Sequence, residues 1–213
     1  MIPKIIHYCW FGGKPKPENV LKYMHSWKAK MPDFELREWN EDNFDVESFL
    51  FTKEAYHAKK FAFVSDFVRL YVLNKIGGIY FDTDIEVLKS FEDLLNQDYI
   101  LGYERPMIVG TGVMAAIPGI SFLQSFMETY LDKRFLVKDG HFNTTPNTKL
   151  LTLFLKENNY NLKIYGEEYF SAKDFLTGKI HCTPNTYCIH HYAGSWLTPW
   201  QQVKMKIRHI LGF

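Results

Sequence analysis

Two aspartates, Asp82 and Asp84, stand at i and i+2 in the run Gly77-Gly78-Ile79-Tyr80-Phe81-Asp82-Thr83-Asp84. At the end of an apolar strand, that spacing sends both carboxylates to one side of the backbone. Two like charges held together need a cation between them, and oxygen ligands with vacant positions suit Mg²⁺ or Mn²⁺ carrying a diphosphate. A solvated turn has the same three residues, so the triplet gains meaning from its neighbours. Upstream, Asp66 and Arg69 lie three apart inside an otherwise apolar helical stretch, on neighbouring turns of one face. They can form an intrahelical ion pair. Beside a metal diphosphate, Asp66 could instead accept hydrogen bonds from sugar hydroxyls while Arg69 holds Asp66 or a sugar oxygen. Tyr80, two residues before Asp82, faces the same side, and Phe81 points the other way into a core.

The elements that position these residues follow from hydrophobic periodicity. Residues 2–8 read as a first apolar strand ended by Gly12-Gly13-Lys14-Pro15-Lys16-Pro17, and residues 18–30 as a helix. Residues 34–39 alternate as a second strand, and residues 54–76 form the longest helical pattern, stopped by Gly77-Gly78. Further strands are expected over 79–81, 99–103, 112–116 and 162–165, and helices over 122–131 and 148–156. Strands alternating with helices predict an α/β domain whose central sheet is mostly parallel, with helices on both faces and its site at strand carboxyl ends.

Composition bounds the function. The 213 residues correspond to one domain at about 150 residues per domain. Twenty-five Lys+Arg against twenty-four Asp+Glu leave a net charge of +1, which removes the broad positive field that nucleic-acid binding relies on. A 17% aromatic share excludes disorder and suits a cleft lined by flat rings. Cys9, Cys182 and Cys188 indicate neither a disulfide framework nor a zinc site. With no apolar run of about 18 residues and no leader-like start, the expected location is the cytoplasm.

The segments Ala62 to Arg69 and Gly77 to Asp84, together with Ile6-His7-Tyr8-Cys9-Trp10-Phe11-Gly12-Gly13 and Ile189-His190-His191-Tyr192-Ala193-Gly194-Ser195-Trp196, resemble glycosyltransferase family 32. That family of DXD sugar transferases includes capsular-polysaccharide and mannosyl transferases, and its layout is similar to that of the large clostridial glucosylating toxins. The resemblance implies a GT-A fold over residues 1–198, a nucleotide-sugar donor, a divalent metal and retention at the anomeric carbon. It favours a UDP-sugar, a glycan or lipid-linked glycan acceptor, and a role in bacterial surface or capsular polysaccharide synthesis.

By the same resemblance Trp10 stacks on the donor base, Asp82 and Asp84 hold the metal, and Tyr80, Asp66 and Arg69 reach the phosphate or sugar. His191 supplies an imidazole ligand, with His190 as rival, and imidazole is commoner around Mn²⁺ than Mg²⁺. Ser195 would touch the metal or β-phosphate, and Trp196 would donate its indole N–H to the leaving oxygen. Two further segments carry open alternatives. Gly110-Thr111-Gly112 is either a turn or a place where ligand nears the backbone, and Thr144-Thr145-Pro146 lacks the family's glycine and equally suits a helix-capping loop. Residues 199–213 read as a basic amphipathic helix that would dock on its own domain or attach peripherally to the inner face of the plasma membrane, through residues 200–211. Two other activities share these residues: a nucleotide-sugar-binding module without turnover, and a metal-dependent nucleotide-sugar hydrolase.

Overall fold

The computed structural model describes residues 1–137, 140–194, 197, 200, 203, 204 and 207. Among the described residues up to 194, seven strands and six α-helices follow in the order β1 (Ile5–Cys9), α1 (Glu18–Lys30), β2 (Glu35–Trp39), α2 (Leu50–His57), α3 (Phe61–Ile76), β3 (Gly78–Phe81), β4 (Ile85–Val87), β5 (Tyr99–Arg105), β6 (Ile108–Ala116), α4 (Ser121–Glu128), α5 (Asn147–Glu157), α6 (Glu167–Phe170) and β7 (Cys188–His190). The central sheet has the order β2-β1-β3-β6-β5, and β4 pairs with β7 in a second, two-stranded sheet.

The sheet is mixed, which corrects the expectation of a mostly parallel one. β1 runs parallel to β2 and β3, but β6 is antiparallel to both β3 and β5. β5 and β6 are joined by two residues, Pro106 and Met107, and so short a link can only return the chain as a hairpin. The strand expected over residues 162–165 is reduced to a single bridge between Tyr165 and Gly102.

Each face of the sheet carries its own core. Cys9, Tyr80, Leu101, Met114 and Ala116 pack with the buried face of α3 and with Phe122 and Phe126 of α4. Ile6, Tyr8, Ile79, Phe81, Ile100, Val113 and Ala115 face the opposite way, onto Trp27, Phe91 and Phe170. The alternation along β3 is the period-two signature of a strand buried on both sides. Phe81 thus points into a core, with its ring 5.4 Å from Trp27 and 5.3 Å from Phe91.

The helix expected over 54–76 is divided. Lys59 adopts a left-handed conformation (φ 56°) between α2 and α3, so the apolar pattern runs through a turn that periodicity does not show. At the far end of α3, Gly77 (φ 73°) and Gly78 (φ 110°) reverse the chain into β3. A Cβ on Gly78 would stand 2.7 Å from the Ile5 carbonyl oxygen, so this tight entry to the central strand needs glycine for space as well as for conformation.

Candidate active site

The carboxyl end of β3 opens into a cavity of about 1010 Å³. Trp10, Asp66, Arg69, Tyr80, Asp82, Asp84 and His190 all line it, drawn from β3, α3, and the loops after β1 and at the end of β7. The geometry starts from Arg69, whose side chain is only 5% exposed. Its Nη2 lies 3.0 Å from Asp66 Oδ1 and 3.1 Å from Asp82 Oδ1, and Nη1 donates to the Thr111 carbonyl at 2.6 Å. The guanidinium also sits 4.8 Å from the Tyr80 ring centroid, and the Tyr80 hydroxyl donates to Asp82 Oδ1 at 3.2 Å. One cation thus fixes two carboxylates from different elements, the fork geometry that arginine supplies. Burial pushes the Asp66 carboxyl up to about 7, against the pull of Arg69.

Asp84 is held from the other side. Ala193 N–H donates to its Oδ2 at 2.7 Å, His191 N–H donates to its backbone carbonyl at 2.9 Å, and His190 Nε2 lies 3.3 Å from Oδ1. Burial opposes ionisation of both partners, yet their mutual attraction wins, leaving Asp84 at about 2 and raising His190 to about 9.

Asp82, Asp84 and His190 each offer one ligand atom within 4.8 Å of the others. Ligands of one Mg²⁺ stand up to roughly 4 Å apart, twice the bond length, so a small contraction would seat such a cation. The surroundings are shaped for this cluster. A Cβ on Gly112 would lie 2.9 Å from His190 Cε1 and 3.0 Å from Asp82 Oδ2, so glycine alone leaves both side chains their places. Gly110-Thr111-Gly112 is therefore strand interior rather than a turn, and it admits side chains close to the backbone.

The structure brings His190, not His191, to the aspartates. β4 pairs antiparallel with β7 in the register Ile85↔His190, which sets His190 beside Asp84. Adjacent residues of a strand face opposite ways, so only one of the two histidines can enter the cleft. His191 turns outward, with Nε2 2.7 Å from Glu86 Oε2 and its ring stacked on Tyr23 at 4.4 Å. Trp10 lines the cleft, its indole N–H donating to the Lys14 carbonyl at 2.6 Å and Lys16 Nζ 5.7 Å from its ring. Ser195 and Trp196 lie outside the described residues, as does most of the expected tail helix. Of that tail, Trp200, Val203, Lys204 and Ile207 are helical and exposed. Among the described residues no helix is long and apolar enough to cross a membrane.

Sequence reasoning missed two cleft residues. Asn147, at the start of α5, is buried, donates to the Asp66 carbonyl at 3.3 Å and accepts from the Tyr130 hydroxyl at 2.9 Å. The capping reading of residues 144–146 holds only for Pro146, which precedes the first helical turn without a side-chain cap. Glu104, on β5, lines the cleft beside the cluster. Its only sequence signal is a charged residue in a strand that is otherwise apolar at its start.

Comparison with known proteins agrees with this geometry. Residues 17–101 match the family model described as glycosyltransferase sugar-binding region containing DXD motif. Inositol phosphoceramide mannosyltransferase 3 of Schizosaccharomyces pombe is 28% identical over 130 residues, covering 57% of this chain and 35% of that protein. The chain thus matches only about a third of the length of that relative. Among solved structures, the PaToxG glycosyltransferase superposes with a TM-score of 0.53 at 17% identity, covering 74% of this chain and 69% of that one. A glycosyltransferase involved in glycosylation of the major capsid of PBCV-1 gives 0.52 at 10% identity, covering 96% and 100%. The chain has the GT-A fold of these glycosyltransferases, and over residues 17–101 it is similar to the DXD-containing sugar-binding region.

Proposed function

We propose that the protein is a metal-dependent, retaining glycosyltransferase that moves a sugar from a nucleotide-sugar donor, with a UDP-sugar preferred, to a glycan hydroxyl. The observation that carries this reading is the cluster of Asp82, Asp84 and His190 in one cleft with the Asp66–Arg69 pair. Asp82, Asp84 and His190 would hold Mn²⁺ or Mg²⁺, which when bound supplies positive charge to a departing nucleoside diphosphate.

The chain's own residues do the rest. Arg69 keeps Asp82 oriented and prevents the two cleft carboxylates on its fork from repelling each other apart. Asp66, buried and near neutrality in its protonation, can accept or donate a hydrogen bond to a sugar hydroxyl. Trp10 offers a ring face to the base, a contact that any base satisfies. Trp196 and Ser195 are proposed as donors toward the leaving phosphate. A cytoplasmic location and tail attachment to the inner membrane face complete the proposal; the exposed Trp200, Val203 and Ile207 support the latter.

Release of nucleotide from UDP- and GDP-hexoses, followed with and without Mn²⁺ and with a glycan acceptor, tests the reading. It should require the cation, rise with acceptor and vanish in Asp84→Ala. Cation-independent release, or release indifferent to Asp84, would refute it, and release indifferent to acceptor would mark a hydrolase instead.

A further inference from the structure

Beside the aspartate–histidine cluster the cleft is lined by groups that the donor reading does not use. There β5 carries Glu104, whose side chain lines the same cavity as Asp82, Asp84 and His190. The Tyr192 hydroxyl donates to the Glu104 backbone carbonyl at 3.2 Å, which ties this strand to the segment after β7. Tyr192 stands 4.2 Å from the His190 ring on one side and 5.2 Å, edge-on, from Phe175 on the other. The Arg105 guanidinium lies 5.3 Å from the Phe175 centroid. Tyr192 itself is held in the left-handed region (φ 55°), an uncommon state for a bulky residue and one that places its ring in this wall.

This wall combines the Phe175 ring, backed by the buried Tyr192, with a carboxylate and a guanidinium. Such a ring packs on the apolar C–H face of a pyranose while the charged groups take its hydroxyls. Glu104 in particular would repel phosphate. The Glu104 carboxylate has no hydrogen-bond partner among the described residues, and burial pushes it above the usual carboxylate range, against the pull of His190 and Arg105. A cavity of about 1010 Å³ also sits at the upper end of what one drug-sized ligand fills, roughly 300–1,000 Å³, leaving room beyond a donor.

We infer that the Glu104–Phe175–Tyr192 wall of the cleft is the acceptor subsite, taking a hexopyranose whose hydroxyl donates to the Glu104 carboxylate while its C–H face packs on Phe175. This inference rests on the donor assignment above.

Saturation-transfer NMR tests it on the full chain, using methyl α-D-mannopyranoside, methyl α-D-glucopyranoside and methyl β-D-galactopyranoside as probes. UDP or GDP with diamagnetic Mg²⁺ is present throughout, and nucleotide binding is followed separately by calorimetry. At least one hexoside should bind the wild-type nucleotide complex. Glu104→Gln, which keeps size while removing the charged acceptor, should weaken it about tenfold, and Phe175→Ala should do so as well. Nucleotide affinity should stay within about threefold in both variants, which also shows that they are folded. Hexoside binding unchanged in both variants, or no hexoside binding to a wild-type protein that takes nucleotide and Mg²⁺, would overturn the subsite. Absence of nucleotide binding in the wild type would instead overturn the donor reading.

Discussion

Arg69→Met is the substitution whose cost can be worked most directly from the structure. The methionine keeps much of the bulk of α3 and removes one charge, which at present serves Asp66 at 3.0 Å, Asp82 at 3.1 Å and the Thr111 carbonyl at 2.6 Å. Breaking a buried ion pair by deleting one partner costs about 3–5 kcal/mol, because the remaining charge stays buried. Two features reduce the upper figure. Asp82 is 28% exposed on its side chain, so water screens part of its loss. Asp66 already stands at about 7 and, without Arg69, protonates rather than remaining a bare charge. The cost of the orphaned Thr111 carbonyl, about 1–3 kcal/mol, is contained in that figure rather than added to it. A net loss near 3 kcal/mol at pH 7.5 results, and with a urea slope of about 3 kcal/mol/M the midpoint moves down by about 1 M. Urea unfolding of wild type and variant at pH 7.5 measures this, with an unchanged slope confirming that only stability moved. A midpoint within about 0.3 M of wild type would refute the view that Arg69 is the electrostatic keystone of the cleft.

Three more expectations can be checked alongside. Gly112→Ala pushes a methyl to within 2.9 Å of His190 and 3.0 Å of Asp82, so Mn²⁺ affinity by calorimetric titration should fall about tenfold; an unchanged affinity would contradict the crowding argument. His190→Ala should weaken Mn²⁺ binding strongly, whereas His191→Ala should leave it within about threefold and lower stability by roughly 1–2 kcal/mol through loss of the Glu86 and Tyr23 contacts. The reverse pattern in the same titration would restore His191 as the ligand. His7 is fully buried, donating through Nε2 to the Gly77 carbonyl at 2.8 Å and accepting from the Trp39 indole at 3.0 Å, and burial lowers it from 6.5 to about 4. Between those values the unfolded chain binds more protons than the folded one, so stability rises with pH across that window and is lost as pH falls through it, by up to roughly 3 kcal/mol. The stability advantage of wild type over His7→Gln should therefore shrink from pH 7 to pH 4.5 in urea melts; a constant difference would exclude it.

How much could be read from residues alone differs by element, for physical reasons. The helix over 18–30 and the passage from α3 through Gly77-Gly78 to Asp82 were legible because burial on fixed faces leaves a period and glycines mark its end. The direction of β6 was not, since an apolar run pairs equally well either way, and only the two-residue link after β5 decides it. The break at Lys59 escaped because a turn within an apolar pattern keeps the pattern. In the cleft, Asp66, Arg69, Tyr80, Asp82 and Asp84 could be singled out from local spacing. The choice between His190 and His191 could not, because it depends on the register of β7 against β4, about a hundred residues earlier. Glu104 and Asn147 carry no local signal; each matters through what the fold sets opposite it.

Under the proposed function the cleft binds a nucleotide through a cation held by Asp82, Asp84 and His190. Melting temperature measured with UDP and with GDP, each with Mn²⁺, with Mg²⁺ and with chelator, tests it directly, because a ligand that binds only the folded state raises that temperature. The melting temperature should rise only with one nucleotide and the cation together, and the rise should disappear in Asp84→Ala. No rise under any condition in a protein shown to be folded, or a rise that survives chelator, would contradict it.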